Sequence, residues 1–202
     1  DPVINWTGGG YTWDQNNYSN GEMLWSYNTK GDMGYSSPTF KDINSDTVTD
    51  VIIGVGATTT DGIGHVLALK GSDGSKIFQG NVSGRFVSSP AVFEYNPTTD
   101  HIIIASKNST YYTVYSFNTN GDENWKKSYA TSVGAYVQVP SPVIGDFNAS
   151  LTGLEIAVCI PFVNNNNGQV VALRPNGNAL WSSPFQAIGQ FESTPAIYDI
   201  NG

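Results

Sequence analysis

Apolar side chains fall in short bursts along this chain, without the three-and-four spacing of an amphipathic helix. Val51-Ile52-Ile53 and the run Ile156 to Ile160 (IAVCI) are unbroken apolar stretches, too short for a helix and rich in β-branched residues. They read as buried strands. The stretches HVLALK from His65, YTVYSF from Tyr112 and QVVALR from Gln169 read as alternating strands. Each of these leads into a glycine-bearing turn (GSDGS, NTNGD, PNGN) and then a segment with one aromatic, in KIFQG, ENWKK and ALWSS. Asp-Gly and Asn-Gly between apolar runs predict tight hairpins, because those residues tolerate positive φ.

The bursts repeat. The stretch SSPTFKDINSDTVTDVIIGVG (Ser36 to Gly56) returns as SSPAVFEYN from Ser88, PSPVIGDFN from Pro140 and STPAIYDIN from Ser193. Pro38, Pro90, Pro142 and Pro195 mark the period, 52, 52 and 53 residues apart. Trp25, Phe78, Trp125 and Trp181 recur once per repeat, which favours a packing role. Self-similarity at this period with four strands per unit predicts propeller blades, which must stack to bury their faces.

The expected fold is therefore all-β: a single domain over residues 1–202, a β-propeller of four repeats of ~52 residues and four strands each. One blade is split between the termini. STPAIYDING supplies its first strand, and DPVINW, YTW and EMLWSY supply the second, third and fourth. Closing such a ring removes the exposed sheet edge. Two alternatives stay open: a part excised from a longer propeller, and a split blade completed by a neighbouring molecule to give a head-to-tail polymer.

Composition narrows the function. Charged residues are 13% and the net charge is −8, with nine Lys plus Arg scattered along the chain. That argues against a nucleic-acid partner, which needs a basic face. No run approaches the ~18 apolar residues of a membrane span. The lone Cys159, inside IAVCI, excludes an internal disulfide framework and reads as a small buried apolar residue. The chain opens at Asp1 without methionine or leader, so the expectation is a secreted protein after leader removal, or an excised fragment. Sequons at Asn5, Asn17, Asn81, Asn108 and Asn148 fit an extracellular glycoprotein, although Asn148 also falls at a metal-ligand position.

The chemistry sits in the loop after each proline strand. Asp42, Asn44, Asp46 and Asp50 occupy positions 1, 3, 5 and 9 of one short loop, and side-chain oxygens at alternate positions can curl round calcium. In the third repeat Asp146, Asn148 and Ser150 keep the alternation and Glu155 follows one place late. The second repeat offers Glu94, Asn96 and Asp100 in a shorter loop containing Pro97, and is expected to be empty. The fourth offers Asp199 and Asn201 and needs Asp1 from the other terminus. The competing reading is an Asx-rich turn whose side chains bond their own backbone. Calcium would act structurally, because converging carboxylates repel unless a cation neutralises them.

Catalysis finds little footing. His65 and His101 lie in different repeats, Gln169 stands where His65 does, and neither a nucleophile elbow nor a phosphate-cradling loop is present. Gly8 to Gly10 and Asn164 to Asn167 read as rim loops. Trp6, Tyr11, Trp13, Tyr18 and Tyr35 cluster near the N-terminus, and exposed aromatics of this kind can stack on sugars.

Two resemblances cover nearly the whole chain through short motifs. DINSDTVTD followed by VIIG resembles the FG-GAP repeat of integrin α-type propellers, whose D-x-[DN]-x-D loops bind calcium. ALKGSDGSKIF and ALRPNGNALW resemble the PQQ-like repeat with its docking aromatic. The first loop departs from the family in having Thr47 where a glycine usually stands sixth. The resemblance implies a calcium-stabilised extracellular propeller. The expected role is adhesion, surface structure or assembly without catalysis, with a protein or glycan at the cell surface as partner. The alternatives are a carbohydrate-binding module, a subunit of an extracellular filament, and a fragment of a quinoprotein-like enzyme, for which four blades are few.

Overall fold

The structure is a computed structural model that describes residues 5–7, 10–12, 23–31, 36–96, 99–131, 138–148, 150, 153–163, 167–189, 191 and 193–198. The described residues form strands and turns with no helix, and so none that is long and apolar enough to cross a membrane. In order the strands are β1 (Asn5–Thr7), β2 (Gly10–Thr12), β3 (Thr39–Lys41), β4 (Asp50–Val55), β5 (Ile63–Leu69), β6 (Lys76–Ser83), β7 (Phe86–Val87), β8 (Ala91–Asn96), β9 (Thr99–Lys107), β10 (Tyr111–Phe117), β11 (Glu123–Ala130), β12 (Val143–Gly145), β13 (Glu155–Val163), β14 (Asn167–Leu173) and β15 (Phe185–Ile188).

These make three antiparallel sheets, one per sequence repeat: β3-β4-β5-β6, then β8-β9-β10-β11 with β7 added beside β9, then β12-β13-β14-β15. The unbroken apolar runs are the second strands, and alternation along them decides which neighbour each side chain meets. On β4, Ile52 points into a core shared with the second sheet, while Val51, Ile53 and Val55 pack under Trp25 on the opposite face. On β9, Ile102 and Ile104 join the first of these cores, and Ile103 and Ala105 join another with Ile156, Val158 and Ile160 of β13. A strand sandwiched between two cores has no polar face. That is why VII and III run continuously instead of alternating with charge, and in IAVCI the other face, Ala157 and Cys159, is buried as well. By contrast β11, at the outer edge of its sheet, is exposed along most of its length and carries Lys126 and Lys127, which blunt that edge.

The recurring Ser-Ser-Pro has a separate task at each position. Ser88 N–H donates to the Ala105 carbonyl and its hydroxyl accepts from Ala105 N–H at 2.9 Å, while Ser36 Oγ accepts from Gly54 N–H at 2.9 Å. Pro90 has no N–H, so the inner strand breaks there and its pairing with β9 slips by one residue, separating β7 from β8. The second residue joins neighbouring repeats: Ser37 N–H donates to Ser89 Oγ (2.8 Å), Ser89 N–H to Ser141 Oγ (3.1 Å) and Ser141 N–H to Thr194 Oγ1 (3.1 Å).

The once-per-repeat aromatics join the repeats at the opposite side of each sheet. Gly74, Gly121 and Gly177 sit at φ +72, +87 and +81 in the turns after the third strands, a conformation that needs glycine. Each glycine also lies under an aromatic from the preceding repeat: a Cβ there would come within 2.5 Å of Trp25, 2.6 Å of Phe78 and 2.8 Å of Trp125. Trp25 Nε1–H donates to the Gly71 carbonyl (2.9 Å) and Trp125 Nε1–H to the Pro175 carbonyl (2.7 Å). The tight hairpins expected at these turns form with longer loops than two residues. In the second and third repeats three residues lie between the Asn118 and Asp122, and the Arg174 and Asn178, closing pairs, and in the first and second a register shift follows.

One expectation needs correction. In the third repeat ALWSS makes only an isolated bridge, Leu173 to Ala179, and the fourth strand forms later at Phe185–Ile188. The intervening bend ends at Pro184, which cannot donate to a ladder, so pairing resumes only after it. The split repeat lies only partly within the described residues. β1 and β2 form their own two-stranded hairpin, and residues 23–30 and 193–198 are described without strand pairing. The described strands form no closed ring.

Candidate metal-binding loops

The first loop leaves β3 at Lys41 and re-enters the sheet at Asp50. Its curl is held by its own side chains. Asp42 Oδ1 accepts from Ser45 N–H (2.7 Å) and Asp46 N–H (3.3 Å), and Asp42 Oδ2 accepts from Thr47 N–H (2.9 Å). Asn44 Oδ1 accepts from Asp46 N–H (2.9 Å) and Asp46 Oδ1 from Val48 N–H (2.9 Å). These Asx turns hold Ser45 and Thr47 at φ +62 and +71, so Thr47 takes a backbone conformation that glycine adopts more easily.

Asp50 closes the loop from within the sheet. It is fully buried, and its carboxylate accepts from Ile43 N–H (3.1 Å), Asn44 Nδ2–H (3.1 Å) and Gly71 N–H (3.3 Å). Burial pushes its carboxyl above the ordinary value. The Ile43 and Gly71 N–H groups oppose the rise, and the charges of Asp46 and Asp42 add to it. The folded state then holds this proton more tightly than the unfolded chain. In calcium-free buffer its contribution to stability should therefore fall as pH climbs from 3.8 through the raised value. Denaturant unfolding between about pH 4 and 7 should show that part of the slope missing in Asp50→Asn. A slope unchanged by the substitution would contradict this origin.

The third loop repeats the geometry with a longer chain. Phe147 N–H donates to Glu155 Oε2 (3.0 Å) as Ile43 N–H does to Asp50, and Ser150 N–H donates to Asn148 Oδ1 (3.1 Å) as Asp46 N–H does to Asn44. Glu155 is buried at the first position of β13, the place Asp50 holds in β4, so the longer glutamate spans the extra residue. Asp146 is exposed and starts the loop as Asp42 does. In the second repeat Glu94 pairs with Asp100 in the ladder and Asn96 with Thr99, which replaces the loop by a hairpin. The Asp100 carboxylate is bound to Lys41 Nζ at 2.9 Å. Asp1, Asp199, Asn201 and Pro97 lie outside the described residues.

The donor set of the first and third loops is all oxygen, which suits a hard cation. The carboxylates are nevertheless turned toward the loops' own N–H groups. No three His, Cys, Asp or Glu among the described residues converge as a metal-holding group. A carboxylate has about four lone-pair sites, and Asp46 commits one of them to Val48 N–H, so acceptor capacity remains for a cation.

The remaining candidates disperse. His101 is buried, its ring nitrogen is 3.2 Å from Ser116 Oγ, and burial holds its pKa below the ordinary value against the pull of Asp100. Ser116 is fully buried and also receives a hydrogen bond from Asn124, so the Ser–His contact is sealed from solvent. His65 is sixteen residues before Asn81 and contacts it across the strand pair, at 3.2 Å. Burial likewise raises the Cys159 thiol. Among the sequons, Asn81 is exposed on β6, whereas Asn108 Nδ2 is committed to Ser83 Oγ at 2.9 Å. Asn5 begins β1, and Asn17 lies outside the described residues. Of the aromatic cluster, Trp6 and Tyr11 are cross-strand partners in the β1–β2 register; Trp13, Tyr18 and Tyr35 lie outside the described residues. Gly10 opens β2 and Asn167 opens β14, with Gly8, Gly9 and Asn164 to Asn166 outside the description. No family model matches the chain, and a search of curated proteins gives no match.

Proposed function

We propose that this chain is a calcium-stabilised, β-propeller-type repeat module of the cell surface or extracellular space, acting in adhesion or assembly without catalysis. The supporting observation is the joint between repeats. A serine or threonine hydroxyl receives the preceding repeat's backbone N–H three times in succession, and an aromatic covers the next repeat's turn glycine three times. A surface built by iterating one joint presents its loops on a rigid frame, which suits recognition better than turnover. In this reading the fourth repeat, split between the sequence ends, seats on the third sheet and brings a glycine turn to Trp181.

Calcium is the proposed occupant of the first and third loops. It would offset the mutual repulsion of Asp42, Asp46 and Asp50, beside which no Lys or Arg ion pair stands among the described residues. The variant carrying Asp42→Ala and Asp46→Ala should lose more thermal stability in calcium than in chelator, the residual loss in chelator being the Asx-turn bonds. Equal losses in both conditions leave the loop as a turn alone.

A second reading is head-to-tail assembly. It draws on the exposed Trp181, Phe185 and Tyr198, and on Ile188 at 101% relative exposure, all in the third and fourth repeats. Light scattering in calcium separates the two: a monomer of 21.7 kDa is expected for the ring, and open-ended species for the polymer.

A further inference from the structure

A cavity of about 350 Å³ lies between the segment 27–31 and the far end of the first sheet, where the 56–58 turn, the start of β5 and the middle of β6 meet it. Its described lining mixes polar side chains with Tyr27, Ala57 and Ile63 and carries no Asp or Glu, although the chain holds 17 acidic residues against nine basic. Two of the lining residues, Lys30 and His65, can carry positive charge. Lys30 is exposed, forms no ion pair among the described residues, and is fixed by an Asx turn in which its N–H donates to Asn28 Oδ1 (3.0 Å) at φ +56.

His65 is gripped from the sheet side. Its Nδ1 lies 3.1 Å from Gln79 Nε2 and 3.2 Å from Asn81 Oδ1, which leaves Nε2 without a partner among the described residues. Nδ1 either donates to Asn81 Oδ1 or accepts from Gln79 Nε2–H, and in the second case the ring proton sits on Nε2, which is then a free donor. Tyr27 packs its ring against the core of the first sheet and so supplies a held aromatic surface beside these groups.

We propose that this cavity binds a small hydroxylated carboxylate of the sugar-acid class. Lys30 and His65 take the carboxylate, and Asn28, Gln79 and Thr58 take the hydroxyl groups. The volume lies at the lower end of the ~300–1,000 Å³ of small-ligand pockets, which fits one ring better than a chain. With no acidic side chain in the described lining, the Lys30 charge can draw an anion into the cavity. The site is separate from the loops at Asp42 and Asp146 and holds whether or not those bind calcium.

The test uses the whole chain with sodium glucuronate and with glucose, by isothermal titration. The expected result is saturable binding of glucuronate, at least tenfold weaker glucose, and at least tenfold weakening of glucuronate by Lys30→Gln and by Gln79→Ala. Lys127→Gln on β11 should leave binding unchanged. Proton NMR of the wild-type chain gives a readout that needs no variant: of the two histidines, the His65 ring signals should move with glucuronate and those of buried His101 should stay. No saturable binding, equal affinity for glucose, glucuronate affinity unaffected by Lys30→Gln, or still His65 signals would each overturn the proposal.

Discussion

Trp125→Ala is expected to destabilise the protein by about 3 kcal/mol, from the range seen for deleting large aromatics, which at this chain length lowers the melting temperature by roughly 6–12 °C. The indole joins the core between the second and third sheets, covers Gly177 and donates to the Pro175 carbonyl at 2.7 Å. Its removal opens a cavity and leaves a carbonyl without its donor. Trp181 holds the same place in the sequence repeat, yet it lies outside any strand, is 42% exposed, and has its ring 6.5 Å from that of Phe147. If the split fourth repeat seats on it as proposed, Trp181→Ala should cost as much as Trp125→Ala. A costly Trp125→Ala beside a neutral Trp181→Ala, both read from denaturant midpoints, would make Trp181 an open end and refute closure of the ring.

Much of this architecture is legible in the sequence because the strongest signals there are local. The second strand of each repeat is readable from VII, III and IAVCI, since burial on both faces forces an apolar side chain at every position. The period is readable from Ser-Ser-Pro, but what it does is not. That Ser88 replaces a ladder acceptor while Ser89 reaches the next repeat depends on contacts 17 and 52 residues away. The fourth strand of the third repeat is misplaced because the aromatic of ALWSS resembles its counterparts, while Pro184 delays pairing to Phe185. β7, only Phe86 and Val87, is too short to announce itself.

The loops show the same limit in another form. Alternating oxygens at Asp42, Asn44 and Asp46 fit both a cation and an Asx turn, and residue type alone does not choose between them. The structure turns the oxygens onto backbone N–H groups and shows how Glu155 compensates for the longer third loop. Lys30, His65 and Gln79 share a cavity through the antiparallel pairing of β5 with β6 and the placement of the 27–31 segment. Nothing in their sequence spacing points to it.

Ile52→Ala separates packing from loop chemistry within three residues of chain. Ile52 is wholly buried in the core shared by the first two sheets, with Val66, Phe78, Ile102 and Phe117. Truncating it removes apolar contacts on both sides of the interface and leaves a cavity, at an expected loss of about 2–5 kcal/mol. That loss should be the same in calcium and in chelator, because the side chain has no oxygen to offer a cation and meets the loop through the apolar Ile43 in their shared core. Asp50, two residues earlier, faces the loop and should respond to calcium. A loss at Ile52 that depended on calcium would mean that loop and core unfold as one unit, with the cation acting through the packing of the sheets and not only through the turn. A loss of the same size in both conditions places calcium's whole effect at Asp42 to Asp50. The stacking of the sheets would then rest on their alternating apolar faces.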